Sequence, residues 1–274
     1  MNQENLEKIQ RKLELITREW WFFLIFLFIQ FIPTYTSKGY EWAETGKVVG
    51  EILSHAIVFS CTALYPIFKV IPIILIISII FLGKRVTRLF NFYVAISYIL
   101  FAFLQNIAVT EKYGLGIVTL NIVMCLIVAA FWIWETVVQK NDFTPQKQPI
   151  WKWWAVPFGF LAFWYPANPD TLMPDFNPVY LLTNASGLAF CMMTPVYLAI
   201  LSLYHPRVNI PTLRVTALVG TIIGFYNMWV NFFINASALW WNGVLHIPLL
   251  TISVYGLILS LKKSLVEEVK TKEE

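Results

Sequence analysis

The side chains best able to bind a small molecule are carboxamides that lie inside long apolar stretches. Asn227, Asn231 and Asn235 recur every four residues, so on an α-helix they form one stripe. Gly220 and Gly224 continue this stripe on its N-terminal side. An amide is costly inside a membrane unless it has a partner or faces a polar space, whereas glycine lets a neighbouring helix approach closely. The spacing predicts a helix whose glycine half packs tightly and whose asparagine half lines a pocket.

A second set of polar side chains follows in the next apolar stretch. Asn242 and His246 are also four residues apart and lie shortly after Asn235. Helices joined by so short a turn run antiparallel, so the two sets can lie at similar depth. Amides can orient an uncharged ligand, and imidazole can donate or accept a proton. The predicted ligand site therefore combines Asn227 and Asn231 with Asn242 and His246, and the alternative is that the amides bond neighbouring helices without a cavity.

Glu51 and His55 form a third pair with the same spacing. They lie near the start of the apolar stretch 47–83, on one face of a helix. A carboxylate one turn from an imidazole can relay protons or change the imidazole pKa. We therefore add both residues to the predicted ligand site. A partly hydrated pair at the membrane interface is the alternative.

Three functions are compatible with these residues. The leading hypothesis is a small-molecule transporter or permease-like protein with an outward-facing pocket of polar and aromatic side chains. The second is a membrane-embedded transferase that acts on a lipid-linked substrate at the outer leaflet. Its general base would be one of the carboxylates predicted outside the membrane: Glu41, Glu44, Glu51, Asp170 and Asp175. The third is a receptor or assembly subunit without catalytic activity.

No motif indicates a cofactor or a metal site. Cys61, Cys125 and Cys191 lie within apolar runs, where cysteine is usually a small buried side chain. The chain has no Gly-rich phosphate loop, no H-E-x-x-H and no G-x-S-x-G. Glu135 lies about one turn from the end of an apolar run, where Lys140 is close enough to pair with it. The sequence thus predicts no metal and no cofactor, and it favours a protein that is not an enzyme.

Composition places the chain in a membrane. Hydrophobic residues make up 58% of the 274 residues and charged residues only 13%, against roughly 25% charged residues in soluble domains. The net charge of +4 comes from bases in short connections, so we expect no nucleic-acid partner. The predicted fold class is all-α, a polytopic helical membrane protein whose partners are the lipid bilayer and a small-molecule ligand of unknown identity. A homo-oligomer is an open alternative.

The predicted organisation has three parts. Residues 1–19 carry apolar side chains at helical spacing among charged ones, which is typical of an amphipathic helix at the membrane interface. Residues 20–262 form a single transmembrane bundle, and residues 263–274 form a charged tail. No signal peptide is expected at the N-terminus. We predict a cell-membrane protein with both the amphipathic helix and the tail in the cytoplasm.

The number of membrane crossings depends on the stretch 47–83. It is too long for one straight helix, so it forms either one broken crossing with a re-entrant first half or two short crossings. One crossing gives eight spans in total and two give nine. With eight, 16 of the 20 Lys and Arg residues are cytoplasmic, so the positive-inside rule favours eight. The other predicted spans are 20–36, 89–109, 114–138, 151–165, 178–203, 212–234 and 238–261.

A proline-rich segment should cover the outer mouth of the pocket. Four prolines interrupt residues 164–186, and each removes a backbone donor and disfavours helix in the preceding residue. The segment also carries Asp170 and Asp175 without a nearby base. The eight-span topology predicts that residues 166–177 face the outside.

Overall fold

The computed structural model describes residues 3–262, and the predicted charged tail 263–274 lies outside them. The described chain is a helical bundle with one small sheet. Five of its helices are long and apolar enough to cross a membrane, and a further pair would form a sixth crossing with a bend of 93°. The all-α prediction is confirmed at this level, and the structure is consistent with a multi-pass membrane protein.

The helices, numbered in chain order, are α1 (Gln3–Ile16), α2 (Trp20–Ile29), α3 (Thr45–Ser54), α4 (Tyr65–Leu82), α5 (Lys84–Leu104), α6 (Thr119–Val138), α7 (Ala155–Trp164), α8 (Tyr180–Thr183), α9 (Phe190–Tyr204), α10 (Ile210–Trp229) and α11 (Ala236–Leu261). The strands are β1 (Tyr35–Thr36), β2 (Ile107–Thr110) and β3 (Gly114–Ile117), in the antiparallel order β1-β3-β2. We call the end of the bundle that carries α1 the α1 end and the opposite end the sheet end.

The ambiguous stretch 47–83 divides into two unlike parts. Its first part, α3, packs on the sheet through Val48 and Ile52, which are fully buried. A side chain on Gly116 of β3 would lie 2.6 Å from Ile52 Cγ1, so only glycine lets α3 sit so close. Of the described residues in this stretch, only Thr62–Leu82 has the length and apolarity of a span. The first part is therefore an amphipathic helix that covers the sheet.

The sheet replaces two predicted helix ends. We expected helix to continue through residue 109 and to resume at residue 114, but both segments are strands. β-Branched residues favour strand geometry in β2, and Gly114 adopts a φ of +66° at the end of the three-residue turn. The β2–β3 hairpin therefore includes the last residues of the predicted span 89–109 and the first residues of the span 114–138.

Two predicted spans are interrupted. The span predicted at 151–165 contains α7, which has ten residues and is only about 15 Å long. The span predicted at 178–203 breaks between the short α8 and α9. α7 packs against α9. The bundle therefore contains two neighbouring discontinuities, and both lie toward the sheet end.

The glycine face of α10 packs as predicted. A side chain on Gly220 would lie 2.2 Å from Ser253 Oγ, and one on Gly224 would lie 3.1 Å from Leu250 Cα. Both contacts are with α11, which runs antiparallel to α10. The prediction of close helix approach at these glycines is confirmed.

Candidate functional site

Three of the predicted ligand-binding residues lie together at the sheet end. Asn242 Nδ2 donates to Asn231 Oδ1 at 3.0 Å, and Tyr165 Oη donates to Asn242 Oδ1 at 2.7 Å. His246 Nδ1 lies 2.7 Å from the carbonyl oxygen of Asn242, one turn earlier in α11. We call these four residues the sheet-end cluster. Its amides bond to one another and to Tyr165, so they stabilise the contacts of α7, α10 and α11.

The asparagine stripe is shorter than the sequence predicts. Asn227 Nδ2 donates to the carbonyl oxygen of Ile223 at 2.9 Å and contacts Cys191 Sγ at 3.7 Å, so it does not bond to the cluster. After Trp229 the helix changes to a π-helix over Val230–Ile234, and Asn235 N–H donates to Val230 across five residues. This wider turn rotates Asn235 off the stripe, and its side chain is exposed.

Glu51 and His55 lie elsewhere on the sheet end. Their side chains are 3.5 Å apart on α3, with 39% and 57% of their surfaces exposed. The described hydrogen bonds of His55 are to Ser54 and to the Glu51 carbonyl oxygen. The pair is therefore brought together as predicted, but its bonds stay within α3 and do not reach the sheet-end cluster.

A buried ammonium lies where the two interrupted helices meet. Lys69 of α4 is fully buried. Its Nζ donates to the carbonyl oxygen of Phe163 at 2.5 Å and to Ser186 Oγ, and it lies 4.4 Å from the centre of the Phe163 ring. These partners are neutral. The ammonium is thus stabilised by a carbonyl dipole, a hydroxyl and a ring face rather than by a carboxylate.

Lys69 also explains how α7 can end inside the bundle. The last carbonyl groups of a helix have no partners within it. Ser186 Oγ donates to the Phe163 carbonyl oxygen at 2.6 Å, and Asn184 Nδ2 donates to those of Trp164 and Tyr165 at 2.9 and 3.2 Å. A positive charge at a helix C-terminus is also favourable. α4 and the segment after α8 therefore cap α7.

A buried carboxylate forms the centre of a second polar cluster, at the α1 end. Glu135 of α6 is fully buried. It accepts hydrogen bonds from Asn91 Nδ2 at 3.2 Å, from Asn141 N–H at 2.7 Å and from Asn209 Nδ2 at 2.6 Å. These groups come from α5, from the connection after α6 and from the residue before α10. The carboxylate is held by neutral donors, and the predicted pairing with Lys140 is not observed.

Hydrogen bonds to the backbone fix which side of the Asn209 and Asn141 amides carries the oxygen and which carries the NH₂ group. Asn209 Oδ1 accepts from Thr212 N–H at 3.3 Å and so caps α10, while Asn141 Oδ1 accepts from Asn209 N–H at 2.8 Å. Because backbone donors occupy these oxygens, the NH₂ groups must turn away from them. Asn209 therefore directs its NH₂ group to Glu135, and Asn141 directs its own to Asn91 Oδ1 at 3.0 Å.

Gln10 attaches α1 to this cluster. Its Nε2 donates to Asn209 Oδ1 at 3.2 Å, and its Oε1 accepts from Trp134 Nε1 at 2.7 Å. Gln10 is only 2% exposed, although it lies on an amphipathic helix. We call Gln10, Asn91, Glu135, Asn141 and Asn209 the α1-end cluster. Sequence reasoning missed it, although Asn209 followed by Pro211 and Thr212 is a recognisable helix start.

Two cavities lie at the α1 end, and the larger is lined in part by Gln10 and Asn209 of the α1-end cluster. The larger, of about 440 Å³, lies between α1 and residues 206–210, and the smaller, of about 250 Å³, lies between α1 and the end of α6. Neither is lined by a residue of the sheet-end cluster. Beside the larger cavity, Arg207 lies 3.3 Å from Asp142. Hydrogen bonds from Thr144, together with Arg207, lower the pKa of the Asp142 carboxyl.

The donor groups of the described chain do not converge on a metal position. No group of three or more His, Cys, Asp or Glu side chains comes together within residues 3–262, and all three cysteines are free thiols.

Comparison with protein-family models, curated proteins and solved structures finds no match to this chain.

Proposed function

We propose that this protein is a small-molecule transporter or permease-like membrane protein whose ligand binds at the sheet-end cluster. The observation that carries the proposal is the meeting of the short helix α7 and the broken α8–α9 pair at the buried side chain of Lys69, beside that cluster. Interrupted helices in transporters present backbone end groups and side chains to substrates and coupling ions. Tyr165 connects the two features, since it follows α7 and donates to Asn242.

Two buried ionisable side chains support this proposal. Lys69 and Glu135 both lie in helices of span-like length and apolarity. Their described hydrogen bonds all involve neutral partners. Ionisable groups inside membrane segments are costly to keep, and they usually mark ion or substrate routes.

The π-helical turn supports a site that can change shape. Asn231 lies in Val230–Ile234, and π-turns within helices are frequent at functional sites. The amides of the sheet-end cluster bond to one another, so a ligand would have to replace at least one of these bonds. We propose that ligand entry separates Asn231 from Asn242 and that each amide then binds the ligand.

The proposal uses the eight-span arrangement, in which both termini are cytoplasmic. The crossings would be α2, α4, α5, α6, α7, the α8–α9 pair, α10 and α11, so the sheet end would face outside. A single cysteine at Asn168 tests this orientation in a background without the three native cysteines. We expect an impermeant thiol reagent to label Asn168→Cys in intact cells. Labelling only after permeabilisation would contradict the orientation and place the sheet end in the cytoplasm.

Ligand binding can be tested on the purified protein with a library of uncharged and cationic metabolites, by thermal shift in detergent. A compound that stabilises the wild type should not stabilise Asn231→Leu or His246→Leu, while both variants stay folded. Phe233→Leu, an exposed position on the same π-turn, is the matched control and should keep the response. Uptake of the compound into proteoliposomes then separates a transporter from a receptor.

A different outcome would overturn the proposal. If Asn231→Leu and His246→Leu both lose thermal stability and no compound distinguishes them from Phe233→Leu, the amides serve only to hold the helices together. The protein would then fit the assembly-subunit alternative. The transferase alternative has less support, because Asp175 is engaged in its own loop by Asn177 N–H and Tyr180 Oη.

A further inference from the structure

The larger cavity at the α1 end has the size and walls of a binding site. Its volume of about 440 Å³ falls within the range of roughly 300 to 1,000 Å³ that is typical of small-ligand pockets. Gln10 and Asn209 form part of its wall, and they are 2% and 1% exposed. Both belong to the hydrogen-bonded α1-end cluster, so this wall is held in place by the bundle.

The charged groups of the cavity are of both signs. Arg207 is paired with Asp142 and also donates to the Thr144 carbonyl oxygen, so it is already occupied. The remaining charged lining residues are two bases and two acids, which leave no net charge: Arg11, Lys140, Glu7 and Glu14. A cavity with separated charges and no net charge matches a dipolar ligand better than a simple anion.

Three of these four groups have no protein partner. The exposed side chains of Arg11, Lys140 and Glu7 form no hydrogen bond or ion pair among the residues that the structure describes. Glu14 accepts one hydrogen bond, from Gln10 at 2.9 Å. Arg11 and Lys140 come from different elements, α1 and the connection after α6, so a ligand between them would join the two. Free charged groups that face one cavity are available for charge-assisted hydrogen bonds.

The smaller cavity extends the site toward apolar surface. It shares Glu7 and Lys140 with the larger cavity, and it adds the polar Gln3 and the apolar Leu6 and Val138 to the lining. Val138 is the last residue of α6, one of the five span-like helices. A polar space that continues into a partly apolar one beside a membrane helix fits an amphiphile, with its headgroup in the larger cavity and its glycerol and first methylenes beside Leu6.

We infer that these joined cavities bind a zwitterionic phospholipid headgroup of the phosphoethanolamine type. Its phosphodiester accepts hydrogen bonds from Arg11 and Lys140, and its primary ammonium donates to Glu7 and Glu14. The bound lipid links α1 to the end of α6, next to the contact that Gln10 makes with Asn209. This inference does not depend on the transport proposal, because it concerns the other end of the molecule.

Native mass spectrometry of the full-length protein in detergent can test the site. The probes are palmitoyl-oleoyl phosphatidylethanolamine, phosphatidylglycerol and phosphatidylcholine, together with soluble O-phosphoethanolamine and inorganic phosphate. We expect phosphatidylethanolamine to bind about tenfold more tightly than phosphatidylcholine, which has no ammonium N–H, and than phosphatidylglycerol, which has no ammonium. Equal binding of all three lipids, or preference for phosphatidylglycerol, would overturn the inference.

The soluble probes distinguish the source of the headgroup. Weaker binding of O-phosphoethanolamine than of the lipid identifies a membrane lipid, whereas equal binding would overturn the lipid assignment and point to a soluble phosphate ester. Binding of inorganic phosphate as tight as that of the lipid would show that the acidic side of the cavity has no role, which would also contradict the inference.

Matched variants on α1 locate the site. Arg11→Gln and Lys140→Gln should each weaken phosphatidylethanolamine binding by about tenfold, and Glu7→Gln should remove the preference over phosphatidylcholine. Lys12→Gln and Glu4→Gln change the same charges on the same helix outside both cavities, so they should bind as the wild type does. An equal loss of lipid binding in Arg11→Gln and Lys12→Gln would show that binding depends on general surface charge. That result would overturn the site. Unfolding midpoints of all five variants show that each is folded.

Discussion

The two ends of the bundle bury opposite charges and stabilise them in opposite ways. At the α1 end, N–H donors surround the Glu135 carboxylate, and two of the asparagines involved, Asn141 and Asn209, have their orientations fixed by backbone groups. At the sheet end, oxygen acceptors and a ring face surround the Lys69 ammonium, and these acceptors lie where helices are interrupted. The α1 end is therefore a junction of four segments with fixed amide orientations, whereas at the sheet end side chains from other segments cap the end of α7.

This difference is why we propose that a ligand binds by rearrangement at the sheet end and in a preformed space at the α1 end. The sheet-end cluster depends on a side chain–side chain amide bond, Asn242 to Asn231, within a π-helical turn. A ligand that offers equivalent donors and acceptors can replace such a bond at a small cost in free energy. The α1 end instead keeps cavities next to bonds that backbone geometry holds.

The largest effect should come from Glu135→Ala. The change removes the acceptor of three hydrogen bonds, so Asn91 Nδ2 and Asn141 N–H lose this partner, while Asn209 Nδ2 keeps its bond to Gln10 Oε1 at 3.3 Å. We expect a loss of about 2 to 6 kcal/mol in the free energy of unfolding, because each of the two buried donors left without an acceptor costs about 1 to 3 kcal/mol. Denaturant titration of the purified protein measures it. A loss under about 1 kcal/mol would show that the α1 end is not a fixed junction.

A smaller loss should follow from Gly224→Leu in the helix interface that joins the two ends. The added side chain meets the backbone of Leu250 in α11, which cannot rotate away. We expect a cost of about 1 to 3 kcal/mol from overpacking. Phe225→Leu, at a 61% exposed position one residue later, is the control and should have little effect. Equal stability of the two variants in detergent would mean that α10 and α11 separate freely.

Asn231→Leu should cost less than Glu135→Ala. It leaves one amide donor, Asn242 Nδ2, without its acceptor, and we expect a loss of about 1 to 2 kcal/mol. His246→Leu removes only a bond to the carbonyl oxygen one turn earlier and should cost less again. Unfolding midpoints of the three variants give the order. A cost for Asn231→Leu as large as that for Glu135→Ala would remove the contrast between the two ends.

The last effect concerns pH and a histidine at the α1 end. Burial, with smaller contributions from Lys152 and Lys262, lowers the pKa of the His205 imidazole to about 4 from an ordinary value of 6.5. Between these values the unfolded chain binds a proton that the folded chain does not, so stability falls as pH falls from about 6.5 to about 4. We expect this contribution to reach about 1 to 2 kcal/mol after allowance for solvent screening.

His205→Gln should therefore flatten the dependence of stability on pH between about 4 and 6.5. Ile150→Ala, at a 90% exposed position without a titratable group, is the control and should leave the dependence as it is in the wild type. If His205→Gln and the wild type lose the same stability over this range, other groups titrate there and the buried imidazole does not contribute.

Local sequence patterns determined most of the helical architecture. Apolar runs required membrane-type helices, and the four-residue spacing of Gly220 and Gly224 required a face where another helix approaches. The same spacing predicted that Asn231, Asn242 and His246 could lie close together. These inferences succeed because a helix converts spacing along the chain directly into a shared face.

Only the tertiary structure decided where that regular spacing stops. The π-turn at Val230–Ile234 moves Asn235 off the stripe, and the sheet takes α3 with Glu51 and His55 away from the sheet-end cluster. The sequence also did not predict the α1-end cluster, because no common spacing relates its five members, Gln10, Asn91, Glu135, Asn141 and Asn209. A carboxyl group can be buried without a basic partner when donors from distant segments converge on it, and that convergence is a property of the packed bundle rather than of any single stretch of sequence.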